Sequence, residues 1–142
     1  MPEITPLIGK AKELEVATAL TRYGLVVYMP LVDIGADLVV SDTSMKKLIP
    51  IQVKFQARSP GLVLDRSYVS RFKTTNLVVA FLIGEGSTKG MWIIPIAAFR
   101  RRMKDPRRRD GKVYITVSEE RAWLRQFEGD RGAIALRKML ER

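Results

Sequence analysis

With no histidine and no cysteine among its 142 residues, this chain can do chemistry only with carboxylates, amides, lysine, arginine, tyrosine or hydroxyls. The two absences remove the usual general base, thiolate zinc sites, disulfides and the nucleophile–histidine pairs of many hydrolases. The donors that remain are hard oxygens, a set that suits Mg²⁺. They concentrate between Glu13 and Lys54. In the segment Ile49-Pro50-Ile51-Gln52-Val53-Lys54-Phe55-Gln56, a two-residue period puts Ile51, Val53 and Phe55 on one face and Gln52, Lys54 and Gln56 on the other. Asp37 stands in the apolar run Ala36-Asp37-Leu38-Val39-Val40, where an ionised carboxylate needs a partner or a metal. If Ser41 and Leu48 close a hairpin as an opposed pair, antiparallel counting sets Asp37 opposite Gln52. Carboxylate, amide and ammonium then share one patch. Taken alone, Gln-x-Lys is an ordinary half-exposed strand face; the isolated aspartate is what points to a site.

A second carboxylate comes from the preceding segment. Gly9 to Tyr23 reads as a helix, with Leu14, Ala17 and Leu20 at helical spacing and Gly24 where a C-terminal cap belongs. Glu13 lies one turn before Ala17 and two before Leu20, beside the core-facing stripe, whereas Glu15 shares its face with Lys12, Thr18, Ala19 and Arg22 and is expected in solvent. Glu13 is therefore the candidate.

The elements that must position these residues alternate. After a short Pro-containing start and the first helix, Leu25 to Met29 reads as a strand ended by Pro30, and Ala36 to Ser41 and Leu48 to Gln56 as a hairpin joined by Asp42 to Lys47. Ser59-Pro60-Gly61 marks a turn, Leu62 to Asn76 is ambiguous, and Leu77 to Ile83 and Met91 to Ile96 read as buried strands around Gly84 to Gly90. Ala97 to Lys104 is a candidate helix and Val113 to Val117 a strand; Ser118 is the expected N-cap of a helix through Phe127, and Asp130 that of the last helix. This order predicts one mixed-sheet α/β domain over residues 1–142 with no internal linker. No run is long and apolar enough to span a membrane and no leader pattern opens the chain, so a soluble, cytoplasmic protein is expected.

Charge is uneven. Residues 1–60 carry seven Lys/Arg against six Asp/Glu, a net +1, and residues 61–142 carry eighteen against nine, a net +9. The densest part holds Arg100, Arg101, Arg102, Lys104, Arg107, Arg108, Arg109 and Lys112 against only Asp105 and Asp110. A polyanion is the natural partner. Pro106 interrupts the run and no continuous apolar face opposes the charges, so a membrane-surface helix is disfavoured.

The series Lys12-Glu13-Leu14, Gly35-Ala36-Asp37-Leu38-Val39-Val40 and Ile51-Gln52-Val53-Lys54 resembles the PD-(D/E)xK nuclease superfamily. It most resembles the branch whose third motif is Gln-x-Lys, which includes homing-endonuclease-like proteins and is related to archaeal Holliday junction resolvases. The match covers residues 9–58, with Leu77 to Phe99 resembling the remaining core, so the motif core is about 9–99 and the basic segment and closing helices about 100–142. The resemblance implies a restriction-endonuclease-like mixed sheet flanked by helices and Mg²⁺- or Mn²⁺-dependent hydrolysis of DNA that is duplex, branched or junction-forming. It implies Asp37, Gln52 and the Val53 carbonyl as metal ligands, Glu13 as a ligand of a second ion or of a bound water, and Lys54 as the group facing the transition state. Gln56, Arg58 and the basic residues from Arg100 to Lys112 would meet the DNA backbone. The sequence departs from the commoner pattern at Gln52, where a neutral amide replaces Asp or Glu; the alternative is a DNA-binding protein that keeps the fold without the chemistry. One such site cuts one strand, so cleavage of duplex or junction implies a homodimer or larger homo-oligomer.

Overall fold

The computed structural model describes residues 4–32 and 34–142; the first three residues of the Pro-containing start lie outside the described part. Helix α1 (Ile4–Arg22) begins earlier than its periodicity predicts and ends at Gly24, whose φ of +80° is the left-handed conformation glycine adopts without cost. The strands β1 (Val26–Tyr28), β2 (Leu38–Ser41) and β3 (Ile49–Gln56) follow, then β4 (Gly61–Asp65), α2 (Arg66–Phe72), β5 (Val78–Ile83), β6 (Gly90–Pro95) and α3 (Ile96–Arg102). The chain closes with β7 (Lys112–Thr116), the single turn α4 (Arg121–Leu124) with a 3₁₀ turn after it, and α5 (Gly129–Glu141).

Five strands form one mixed sheet in the order β1-β2-β3-β5-β6, and β4 pairs with β7 in a separate antiparallel ribbon. Only β3 and β5 run parallel, because β4 and α2 intervene as a crossover; the hairpins β2–β3 and β5–β6 are antiparallel. The hairpin register is the one predicted by counting: Leu38 pairs with Ile51, Val39 with Pro50 and Val40 with Ile49.

Strand β5 (VVAFLI) is buried along its whole length because both faces of the sheet are covered. Val79, Phe81 and Ile83 face the ribbon, α2 and α3, where Phe81 stacks on Phe99 at 5.4 Å between ring centroids. Val78, Ala80 and Leu82 face α1 and α5. Burying each of these larger side chains contributes about 1.5–3 kcal/mol, so the central strand anchors both layers.

Three local expectations are corrected. Leu14 is half exposed and α1 instead buries Val16 and Leu20, a stripe that still leaves Glu13 at its edge. Ser118 does not cap a helix: residues 118–120 form a turn whose Glu120 precedes α4, because the chain must first return from β7 through the Glu120 amide bond to the Thr116 carbonyl. Asp130 lies inside the first turn of α5 rather than at its cap, which is Glu128. Among the described residues, no helix is long and apolar enough to cross a membrane.

Candidate active site

Asp37 lies one residue before β2, where the ladder stops. Its amide donates to the Ile51 carbonyl at 2.9 Å and its Oδ2 accepts the Val53 amide at 2.8 Å. The residue thus straddles Gln52: the backbone serves the position before it and the carboxylate the position after it. The β2–β3 register, continued one step beyond Leu38 and Ile51, sets Asp37 opposite Gln52 as counting suggests, while its amide reaches back to Ile51. On a strand, the amide and carbonyl of one residue point to the same edge, so the Val53 carbonyl faces the edge that Asp37 occupies.

Glu13, Asp37 and Gln52 line one cavity of about 410 Å³. The Glu13 side chain is 18% exposed and pairs with Lys10 at 3.4 Å. Glu15 is 57% exposed, pairs with Lys12 at 3.1 Å and lines a different cleft, so of the two glutamates Glu13 is the one brought to Asp37. The cavity's other walls are Lys10 from α1, the segment from Pro30 to Val32, and Tyr68 and Arg71 from α2.

Helix α2 reaches the site through Gly35. That glycine has φ +85°, and a Cβ on it would collide with the Phe72 ring, which packs where the side chain is missing. Tyr68 packs against Phe72 at 4.7 Å between centroids and donates its hydroxyl hydrogen to the Gly35 carbonyl at 2.6 Å. At the other end of α2, Arg66 grips Asp105 with two hydrogen bonds of 2.9 and 2.7 Å. The guanidinium holds the Asp105 carboxyl at about 2, well below the usual carboxylate range, although burial opposes the shift. The helix has seven residues and no side-chain cap, so these contacts hold it in place.

Lys54 is not among the residues lining the acidic cavity. Its ammonium lies 5.9 Å from the centroid of the Tyr68 ring, so Tyr68 touches the cavity on one side and Lys54 on the other. Lys54 lines a second cavity of about 180 Å³ with Gln56, Asp65 and Lys112. There Lys112 donates to Asp65 at 2.6 Å, and this bond holds the Asp65 carboxyl below its usual value, burial opposing it and the charges of Lys112 and Lys54 adding to it.

The residues proposed to meet DNA are distributed less uniformly than their sequence suggests. Arg102 pairs with Glu120, Lys104 with Glu119, Lys112 with Asp65, Arg107 with Asp105 and Arg58 with Glu85. Arg101 lines a groove against α5. Arg100, Arg108 and Arg109 are exposed and make no ion pair among the described residues, and Gln56 is exposed at the end of β3.

The donors facing the acidic cavity are the carboxylates of Glu13 and Asp37 and the amide of Gln52, with the Val53 carbonyl at the same edge. All are hard ligands, and the set fits Mg²⁺ or Mn²⁺. Among the described residues no three His, Cys, Asp or Glu side chains cluster as a metal centre, so the fit depends on the amide oxygen of Gln52.

Comparison with solved structures agrees with this architecture. A Holliday junction resolvase, Hjc from Archaeoglobus fulgidus, superposes with a TM-score of 0.55 at 16% identity, over 78% of this chain and 84% of that one. A bacterial homing endonuclease, I-Ssp6803I, superposes with a TM-score of 0.61, also at 16% identity, over 96% of both chains. The chain shares the fold of these two nucleases. No protein-family model and no curated protein matches the sequence, so it is the backbone rather than the sequence that carries the likeness.

Lys10, Tyr68, Arg71 and Asp65 have no counterpart among the residues picked out from the sequence. Tyr68 and Arg71 fall in the ambiguous stretch Leu62 to Asn76; the four-residue spacing of Tyr68 and Phe72 is the one signal there for a helix presenting a single face.

Proposed function

We propose that this nuclease-fold chain is a metal-dependent endonuclease that hydrolyses DNA phosphodiester bonds. The observation that carries the reading is the meeting of Glu13, Asp37 and Gln52 in one cavity, from three separate segments, at the end of a hairpin whose carboxylate is held by a backbone amide. Asp37 and Gln52, with the Val53 carbonyl, would hold Mg²⁺ or Mn²⁺, and Glu13 a second ion or a water. When bound, such an ion supplies Lewis-acid activation of the phosphate and a lower pKa for attacking water.

The chain's own groups do the rest. Asp37 is fixed before substrate arrives, because its bond to Val53 leaves one carboxylate oxygen free and aimed by the other. Lys54, on the same strand face as Gln52 and with its ammonium beside the Tyr68 ring, would offset charge that grows on the phosphate in the transition state. Gln56, Arg58, Arg100, Arg108 and Arg109 provide exposed donors for the DNA backbone. One site cuts one strand, so scission of both strands calls for a homo-oligomer.

The test is incubation of labelled duplex, four-way junction and single-stranded DNA with Mg²⁺ or Mn²⁺, and again with EDTA. Metal-dependent cleavage supports the reading. Tight DNA binding with no cleavage in either metal would instead favour the second reading, a nuclease fold that only binds, for which the neutral Gln52 is the specific reason.

A further inference from the structure

Two cations enclose the acidic cavity, and they are not equivalent. Lys10 is paired with Glu13 at 3.4 Å. Arg71, on the last turn of α2, lines the same cavity and makes no ion pair among the described residues, although Glu13 and Asp37 are its neighbours there. Its guanidinium lies 4.7 Å from the Phe72 ring centroid, a contact that orients the planar group while leaving its N–H edge unused. Phe72 is itself locked beneath Gly35, and Tyr68 ties the same helix to the Gly35 carbonyl. The exposed arginine on this wall is therefore attached, through two packed contacts, to the segment that carries Asp37.

Charge says what it awaits. The described side chains lining the cavity offer two carboxylates, Glu13 and Asp37, against two cations, Lys10 and Arg71, with Gln52 neutral. A divalent ion makes the site net positive, and a phosphodiester is the anion whose two free oxygens match the guanidinium fork.

Resting on the nuclease reading, we propose that Arg71 is a substrate-binding residue of this site that donates to a DNA phosphate at or beside the bond to be cut. It sets the register of the strand over Asp37 and Gln52, a role that a solvated surface arginine would not have.

The experiment is a neutral-phosphate scan. Wild type, Arg71→Ala and Arg71→Gln bind a labelled duplex and a four-way junction in Ca²⁺, each DNA carrying one methylphosphonate at successive positions. One position is expected to cost the wild type about tenfold to a hundredfold in affinity, the worth of a hydrogen bond between charged groups, and to cost either variant nothing more. Arg137→Ala, on α5 where Arg137 pairs with Glu141, should respond as wild type does. If both variants lose affinity yet remain as sensitive as wild type at every position, Arg71 only supports the fold and the proposal is overturned; unchanged affinity overturns it too. Should Arg71→Ala fail to fold, Arg71→Gln, which keeps a long polar stem against Phe72, decides the question. Cleavage in Mg²⁺ and in Mn²⁺ is followed in parallel: a wild type that shows the scan effect but cuts nothing in either metal sinks the nuclease reading and leaves Arg71 standing as a DNA-phosphate contact, and a wild type that binds no DNA sinks both.

Discussion

Replacing Asp37 by Asn and by Ala separates what its carboxylate does for the fold from what it would do for a metal. The carboxylate accepts the Val53 amide at 2.8 Å just where β2 stops pairing with β3. Alanine leaves that amide without its partner, at a cost of about 1–3 kcal/mol. Asparagine can still accept the bond through its side-chain oxygen, giving up only the charge-assisted part, and it removes the repulsion between two carboxylates that share a cavity. Its stability is therefore expected within about 1 kcal/mol of wild type. Metal response should divide the variants differently. A protein in metal at about a hundred times its Kd gains about 2.7 kcal/mol of stability, and both variants should lose that gain. Urea unfolding with and without Mn²⁺ measures both effects in each variant. If Asp37→Asn gains as much from Mn²⁺ as wild type, Asp37 is not a ligand; if it is destabilised as severely as Asp37→Ala, the charge rather than the hydrogen bond holds the hairpin end.

Gly35→Ala should be costly for its size: the φ of +85° strains any side chain by about 1–2 kcal/mol, and the new Cβ would drive Phe72, and with it Tyr68 and Arg71, out of place. Thermal unfolding and cleavage should both suffer, and a variant as stable and as active as wild type would show that α2 does not depend on this packing. Lys54→Ala is expected to lower cleavage by about 10² to 10³ with Mn²⁺ binding retained, whereas Gln52→Glu should keep or tighten metal binding; single-turnover rates and Mn²⁺ titration check both. Replacing Arg107, Arg108 and Arg109 together by Ala should weaken DNA binding for all sequences alike and reduce the salt slope by about 0.9 for each phosphate no longer neutralised, with Arg107 contributing least because it already pairs with Asp105. Because the Asp105 carboxyl is held at about 2 by Arg66, its contribution to stability is present above the ordinary carboxylate range and is lost as pH falls from about 4 toward about 2. Asp105→Asn should flatten that part of the acid-unfolding curve, and an unchanged curve would mean that the pair gives no net stability.

Local physics in the chain decides a good deal of this. Alternation along Ile49 to Gln56 fixes which side chains face the core, since a two-residue period admits only two answers, and the length of the Asp42 to Lys47 connection sets the register found in β2 and β3. The absence of His and Cys leaves oxygen donors as the whole ligand set before any coordinates are known. Glu13 can be preferred to Glu15 from helical phase alone, even though the buried stripe runs through Val16 and not Leu14, because the two glutamates differ by two residues and so by most of the width of the helix. What the sequence does not decide are the long-range choices. Helix α2 is too short to announce itself and exists because Phe72 fills the space at Gly35 and Arg66 meets Asp105, pairings between distant segments that have no local signature. The basic run reads as one polyanion surface, yet the fold turns Arg101 toward α5 and commits Arg102, Lys104 and Lys112 to carboxylates brought in from other segments. Motif spacing puts Lys54 two residues from Gln52, but whether its ammonium enters the acidic cavity depends on Tyr68, which arrives from a helix on the far side of β4. Spacing along a strand fixes the face a side chain leaves from; only the packing of the neighbouring layer fixes where its end comes to rest.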